Sequence, residues 1–168
     1  LFPTLTSMGI SVEASIERWG WYPKGGGIVG VTIGFTPEIR PISLLSRGSL
    51  TKIRGLSTTA NLPRHVGERQ KDYALKRIKE EMGMEAEITV SSEASSHGPG
   101  SFFFLVAESE GAVAGFSSLG KRGKPAEDVA KEAVDSLKDY LDIEGCIDPY
   151  LADQLIPFMA LAKGYASF

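Results

Sequence analysis

Between residues 50 and 142 the apolar pattern alternates between strand period and helix period, and this constrains the fold more than any other feature. "LTKIRGLSTTA" (50–60) reads as a strand. Asn61 offers an N-cap to "LPRHVGERQKDYALKRIKEEMG", a long helix that ends at Gly83. "EAEITVSSEA" (85–94) alternates Ala86, Ile88 and Val90, the mark of another strand. "SFFFLVAES" (101–109) and "AVAGFSSLG" (112–120) are two more, joined at Glu110-Gly111 by a short hairpin turn. Pro125 opens a second helix that runs to about Asp142, with Ala126, Val129, Ala133, Leu137 and Tyr140 on its apolar stripe. The order strand, helix, strand, strand, strand, helix predicts an α+β domain of two layers over 45–145, one four-stranded sheet against two helices.

The flanks, 1–44 and 146–168, share no local pattern with that domain, and neither is long enough to fold alone. "ISVEASIERW" (10–19) places Ile10, Val12, Ala14 and Ile16 on one face of a strand, and "IVGVTIGF" (28–35) is a second strand. The glycine-rich "GWYPKGGG" (20–27) between them makes 10–35 a hairpin. Residues 36–49, with Pro37 and Pro41, read as a crossing into another layer. The simplest arrangement is a small domain, 45–145, inserted into a loop of a larger one that supplies both flanks. A start at Leu1 and an end at Phe168 without a polar tail lead us to expect a fragment of a longer protein.

Hydrophobic residues make up 42% of the chain and charged ones 23%, which argues for a packed globule over disorder. No apolar run approaches a membrane span, so no membrane partner is expected. Cys146 is the only cysteine, which excludes an intrachain disulfide framework and a cysteine zinc cluster and suits a reducing, cytoplasmic setting. The net charge of -3 argues against sequence-blind binding along a duplex but leaves room for a local basic patch. "GKRGK" (120–124) with Lys52, Arg54, Arg64, Arg69 and Lys71 could form such a patch, against the simpler reading of ordinary surface charge.

Few residues have the spacing of a catalytic set. His65, Glu68 and Arg69 share a helix face in "PRHVGER" (63–69), an arrangement more often found on a solvated face. His97 lies in the loop "SSHGPG" (95–100) with no second ligand nearby in sequence, so no histidine metal site follows. The three glycines of "GWYPKGGGIV" suggest either a backbone phosphate cradle or a tight turn against Trp19, Trp21 and Tyr22. Because this loop opens a strand and not a helix, the turn is favoured. Within "DPYLADQLIPFMALAKG" (148–164), Asp148 suits the N-cap and Pro149 the first helical position. Most of this helix is apolar and predicts burial, yet Tyr150, Asp153, Gln154 and Pro157 form a polar stripe near an N-terminus that attracts anions. Either those groups bond to nearby backbone or they meet a ligand with a base, hydroxyls and negative charge. Pro157 removes a backbone bond and is a candidate kink.

Taken together, "GWYPKGGGIV" (20–29), "RG" at 54–55, "PRHVGER" (63–69), "HGPG" (97–100), "KPAEDVAKEAV" (124–134) and "YLADQLIPFMALAKG" (150–164) resemble the RNA 3'-terminal phosphate cyclase family. The likeness spans essentially the whole chain, with one departure. Trp19 stands where the family usually has a basic residue, and Arg18 lies one position earlier. The resemblance implies a large domain of repeated α/β units and a smaller inserted α+β domain. It implies an enzyme that uses ATP and a divalent metal, normally Mg2+, on an RNA 3'-phosphate end. A histidine takes AMP, passes it to the RNA phosphate, and the neighbouring 2'-hydroxyl closes a 2',3'-cyclic end. Carried over by position, Tyr150, Leu151, Ala152, Asp153 and Gln154 match the ATP-binding segment. The resemblance places the nucleophilic histidine beyond Phe168 and a metal-contacting glutamate before Leu1, so no catalytic or metal residue is assigned here and this piece alone is expected to be inactive. The competing reading is a noncatalytic relative acting in ribosomal RNA processing. A plain RNA-binding module is a further rival, with Phe102 and Phe104 either on an open sheet face or in the core. The oligomeric state is not legible.

Overall fold

Strand and helix periods resolve as the sequence predicts, and the computed structural model describes all residues 1–168. In β5 (Gly100–Ser109) Ser101, Phe103, Leu105 and Ala107 are buried while the residues between them are half-buried. β3 (Leu50–Ala60) and β6 (Val113–Leu119) flank it antiparallel, and β4 (Ala86–Ser91) lies parallel to β3 at the edge, giving the order β4-β3-β5-β6. The parallel pair is joined through α2 (Arg64–Met82), the crossover such a pair requires. This helix and α3 (Ala126–Asp142) cover one face of the sheet. Their shared core includes Ile53, Ile78, Phe103, Leu105, Val129 and Leu137. Each such side chain contributes about 1.5–3 kcal/mol on burial.

The buried stripe of α3 contains all five residues expected on it: Ala126, Val129, Ala133, Leu137 and Tyr140. Asn61 does not cap α2. It sits at a φ of 50° and donates to the Ser96 and Gly98 carbonyls, so it ties down the 96–98 loop, and Pro63 holds the cap position. In α2, Gly67 and Gln70 are buried beside Ala74 and Ile78. Gln70 accepts from the Ser57 hydroxyl at 2.7 Å and donates to the Ser101 hydroxyl at 3.2 Å, which satisfies a polar group inside the core.

The flanks build a second, smaller core. Leu5 and Met8, from α1 (Phe2–Ser7) and its cap, and Ile10 pack with Leu151 and Leu155 of α4 (Pro149–Leu161), and Ile39, Ile42 and Leu44 close around them. β1 (Val12–Arg18) and β2 (Ile28–Ile33) form the expected hairpin, with Val12, Ala14 and Ile16 opposite Ile33, Val31 and Val29. The alternation is as read, but that apolar face is open: Ile16, Val29, Val31 and Ile33 are more than half exposed. No helix is long and apolar enough to cross a membrane.

Two contacts stand out, one tying the two ends of the sheet domain together and one joining the hairpin to its sheet. Arg47 donates to the carbonyls of Tyr140 (2.7 Å) and Leu141 (3.1 Å) at the end of α3, and its guanidinium lies 4.7 Å from the centre of the Tyr140 ring. Burial raises the Tyr140 phenol above its ordinary pKa, opposed by Arg47. The second contact is aromatic. Trp21 stacks on Trp19 at 5.4 Å, Trp19 meets Phe102 at 5.6 Å, and Phe102 stacks on Phe104 at 5.9 Å. Phe102 and Phe104 therefore belong to the sheet face away from the helices, half-buried beneath the hairpin's tryptophans.

Candidate functional site

The N-terminus of α4 is set by its cap. The Asp148 carboxylate is buried and accepts from the Leu151 N–H at 2.9 Å, and the Asp148 carbonyl accepts from the Ala152 N–H at 3.0 Å. Leu151 and Leu155 then point into the second core, and Ala152 is half-buried beside them. The rest of the helix does not have the burial its composition predicts, because Ile156 and Leu161 are exposed. Tyr150 is 78% exposed, and Asp153, Gln154 and Pro157 are exposed as well. The polar stripe is thus an open surface, and neither Asp153 nor Gln154 spends its side chain on neighbouring backbone. The helix runs unbroken through Pro157.

One expectation changes with this geometry. The Asp148 carboxylate already takes the Leu151 N–H and brings a negative charge to the N-terminus. The first turn of α4 therefore disfavours a phosphate and suits the uncharged part of a ligand, an aromatic base or sugar hydroxyls, against Tyr150, Asp153 and Gln154.

The glycine turn is structural, as its place before a strand suggests. Gly26 has a φ of 75°, and a Cβ there would stand 2.7 Å from Nδ1 of His97. Gly20 and Gly27 approach so closely that a Cβ on Gly20 would meet the Gly27 nitrogen at 2.6 Å. Arg18 donates to the Gly26 carbonyl at 2.6 Å, and Lys24 reaches the His97 carbonyl at 3.2 Å. Trp21 is buried, whereas Tyr22 stands outside the aromatic cluster at 97% exposure. His97 is a wedge under the turn, and His65 is exposed. Glu68 pairs with Arg64 at 3.0 Å, and Arg69 pairs bidentately with Glu127 at 2.7 Å, so the His65, Glu68, Arg69 face is a solvated one.

Of the basic residues read as a patch, Lys52 pairs with Glu87, Arg54 with Glu108, Arg64 with Glu68 and Arg69 with Glu127. The Arg69 guanidinium holds the Glu127 carboxyl below the usual carboxylate range. Hydrogen bonds from Lys124, and then from Ser118, do the same for Glu132. Lys121 and Arg122 are exposed and enter no ion pair. No group of three or more His, Cys, Asp or Glu side chains comes together as a metal cage. Sequence reasoning missed Arg47, whose partners lie about ninety residues away, and the Gln70 network, which has no periodic signature.

Comparison with known proteins decides the family. Residues 45–142 match the family model of the RNA 3'-terminal phosphate cyclase (RTC) insert domain. This chain belongs to the RNA 3'-terminal phosphate cyclase family. Proteins named RNA 3'-terminal phosphate cyclase from Pyrococcus abyssi and Thermococcus kodakarensis are 42% and 43% identical to it, each over 95% of this chain and 46% of the relative. One from Gloeothece citriformis is 32% identical over 99% of this chain and 47% of the relative. The chain spans about half the length of the curated relatives it matches. Within this cyclase-family chain the matched segment holds the four-stranded sheet with α2 and α3, and the relatives' likeness extends over the hairpin and α4 as well.

Proposed function

We propose that the complete protein is an ATP-dependent RNA 3'-terminal phosphate cyclase and that α4 of this chain holds the adenosine of ATP. The reading rests on one observation: the segment Tyr150–Gln154 presents Tyr150, Asp153 and Gln154 to solvent from a helix whose other side is anchored by Leu151 and Leu155. An exposed aromatic beside an acceptor and an amide, on a helix fixed from beneath, suits a planar base and ribose hydroxyls. Leu151 and Ala152 support that face from within the helix.

The chemistry proceeds in three displacements. A histidine nitrogen attacks the α-phosphorus of ATP and diphosphate leaves. An oxygen of the RNA 3'-phosphate then attacks the histidine-bound phosphorus, and the histidine leaves. Finally the 2'-hydroxyl attacks the 3'-phosphorus, loses its proton, and AMP leaves with the former phosphate oxygen. Adenylylation replaces a poor leaving group by AMP, which is why ATP is consumed for a ring closure. The residues of this chain do not fit a metal cage. Mg2+ enters this reading as the counterion of the ATP phosphates, and no step here is assigned to it.

The test is to incubate the complete protein with ATP labelled at the α-phosphate, Mg2+ and an oligoribonucleotide with a 3'-phosphate. Acid-labile protein-bound AMP, followed by a phosphatase-resistant RNA end, is the expected result; neither product appears from a noncatalytic relative. Asp153→Ala should weaken ATP binding about tenfold, the loss of one or two polar contacts, with the thermal unfolding midpoint unchanged. Unaltered ATP affinity in that variant would remove Asp153 from the site.

A further inference from the structure

A large cleft lies where the glycine turn meets the inserted domain, about 1070 Å³ in volume. One wall is Trp21 to Lys24, another is Gly120 to Ala126, and Gly98 to Ser101 lies between them. Five cations line it, of which Arg69 and Lys124 are neutralised by Glu127 and Glu132. Lys24, Lys121 and Arg122 are exposed without an acidic partner, although the whole chain carries a net charge of -3. Three like charges kept together with none held in an ion pair mark a place that takes an anion. Trp21 is 6% exposed, and its Nε1–H is buried without an acceptor in the chain, a donor that an incoming oxygen would satisfy. Tyr22, at the rim, is 97% exposed on a turn held by the Gly25 N–H to Trp21 carbonyl bond and by Arg18 on the Gly26 carbonyl.

The extent of the cleft selects the class of anion. A second cleft of about 480 Å³ shares Lys121, Arg122 and Lys124 and continues past Asp128 and Glu132 to Lys131, which is itself paired with Asp135, so the space extends further than the unpaired charge. A single phosphate or one nucleotide would fill only a part of this. We infer that the cleft binds the phosphodiester backbone of single-stranded RNA, upstream of its reacting 3' end, through Lys24, Lys121 and Arg122, with one base stacked on Tyr22. This rests on the RNA-acting reading above and gives the inserted domain a role in it. The hairpin supplies Lys24 and Tyr22 and the insert supplies the other two cations, so the site exists only at their seam.

Fluorescence anisotropy of the complete protein with a 5'-labelled oligoribonucleotide tests this, without ATP present. The triple variant K24A/K121A/R122A should bind the RNA about tenfold or more weakly near 0.1 M salt. Its slope of log affinity against log salt should fall by about 2, since each lost phosphate contact to a single strand is worth about 0.7. K121A and R122A singly should each remove about a third of that slope change. Tyr22→Ala should weaken binding while Tyr22→Phe keeps it. ATP affinity of the triple variant should stay within twofold of the parent. Unchanged RNA affinity and salt slope would overturn the assignment. So would a fall in ATP affinity with RNA binding intact, which would make the cleft a nucleotide site. Because binding is read without AMP transfer, its failure is separate from failure of the cyclase reading, which labelled ATP reports.

Discussion

Gly100 shows how a single hydrogen can hold two parts of a molecule together. A Cβ at this position would lie 2.1 Å from the Trp21 ring, so the indole packs flat on the β5 backbone. Gly100→Ala must push a buried tryptophan out of its stack with Trp19 and should destabilise the complete protein by about 1–3 kcal/mol, measurable by urea unfolding. Arg47→Ala should cost a similar amount, about 1–3 kcal/mol, because the Tyr140 and Leu141 carbonyls would lose their donor. Arg47→Lys should recover only a part, since an ammonium cannot reproduce the fork that reaches both carbonyls. Neither residue is legible in the sequence. Gly100 reads as a loop glycine and Arg47 as one residue of the 36–49 crossing, and their partners are brought in by the tertiary fold.

At the scale of elements the sequence carries far more. Period and turn chemistry locate the strands and helices of the inserted domain, because its elements bury one face and are patterned accordingly, although the N-cap read at Asn61 is not one. The same reasoning misjudges α4, which is apolar around most of its circumference yet buried only at Leu151 and Leu155. It also makes the hairpin's apolar face look like core, and that face is exposed. Periodicity reports which face is apolar and not what covers it. The polar stripe on α4 was legible as a stripe. That Asp148 takes the Leu151 N–H was legible only in part, since the cap residue can be read but its bond cannot.

For the molecule as a whole, the seam between hairpin and insert is the feature that local sequence could not disclose, since Lys24 and Lys121 are separated by almost the whole inserted domain. Its pairs also give a pH signature. Glu127 and Glu132 are both held below the ordinary carboxylate pKa, by Arg69 and by Lys124 respectively. Their contribution to stability is therefore present above the unfolded carboxylate value of about 4 and is lost as the pH falls through the lowered folded values. The Tm deficit of an E127Q/E132Q variant at pH 7 should shrink steadily below about pH 4, because the parent loses the same interactions there. A deficit that stays constant down to the acid limit would assign it to packing and not to charge. These pairs also leave Lys24, Lys121 and Arg122 as the cations available to RNA, so the same variant should not weaken RNA binding.

The account turns on which way the open face of α4 looks, and a crystal structure of the complete protein with bound ATP measures it directly. We predict the adenine against the Tyr150 ring with Asp153 and Gln154 within hydrogen-bond distance of the base or ribose. Tyr150 and Gln154 sealed by other side chains, with the nucleotide bound elsewhere, would contradict it.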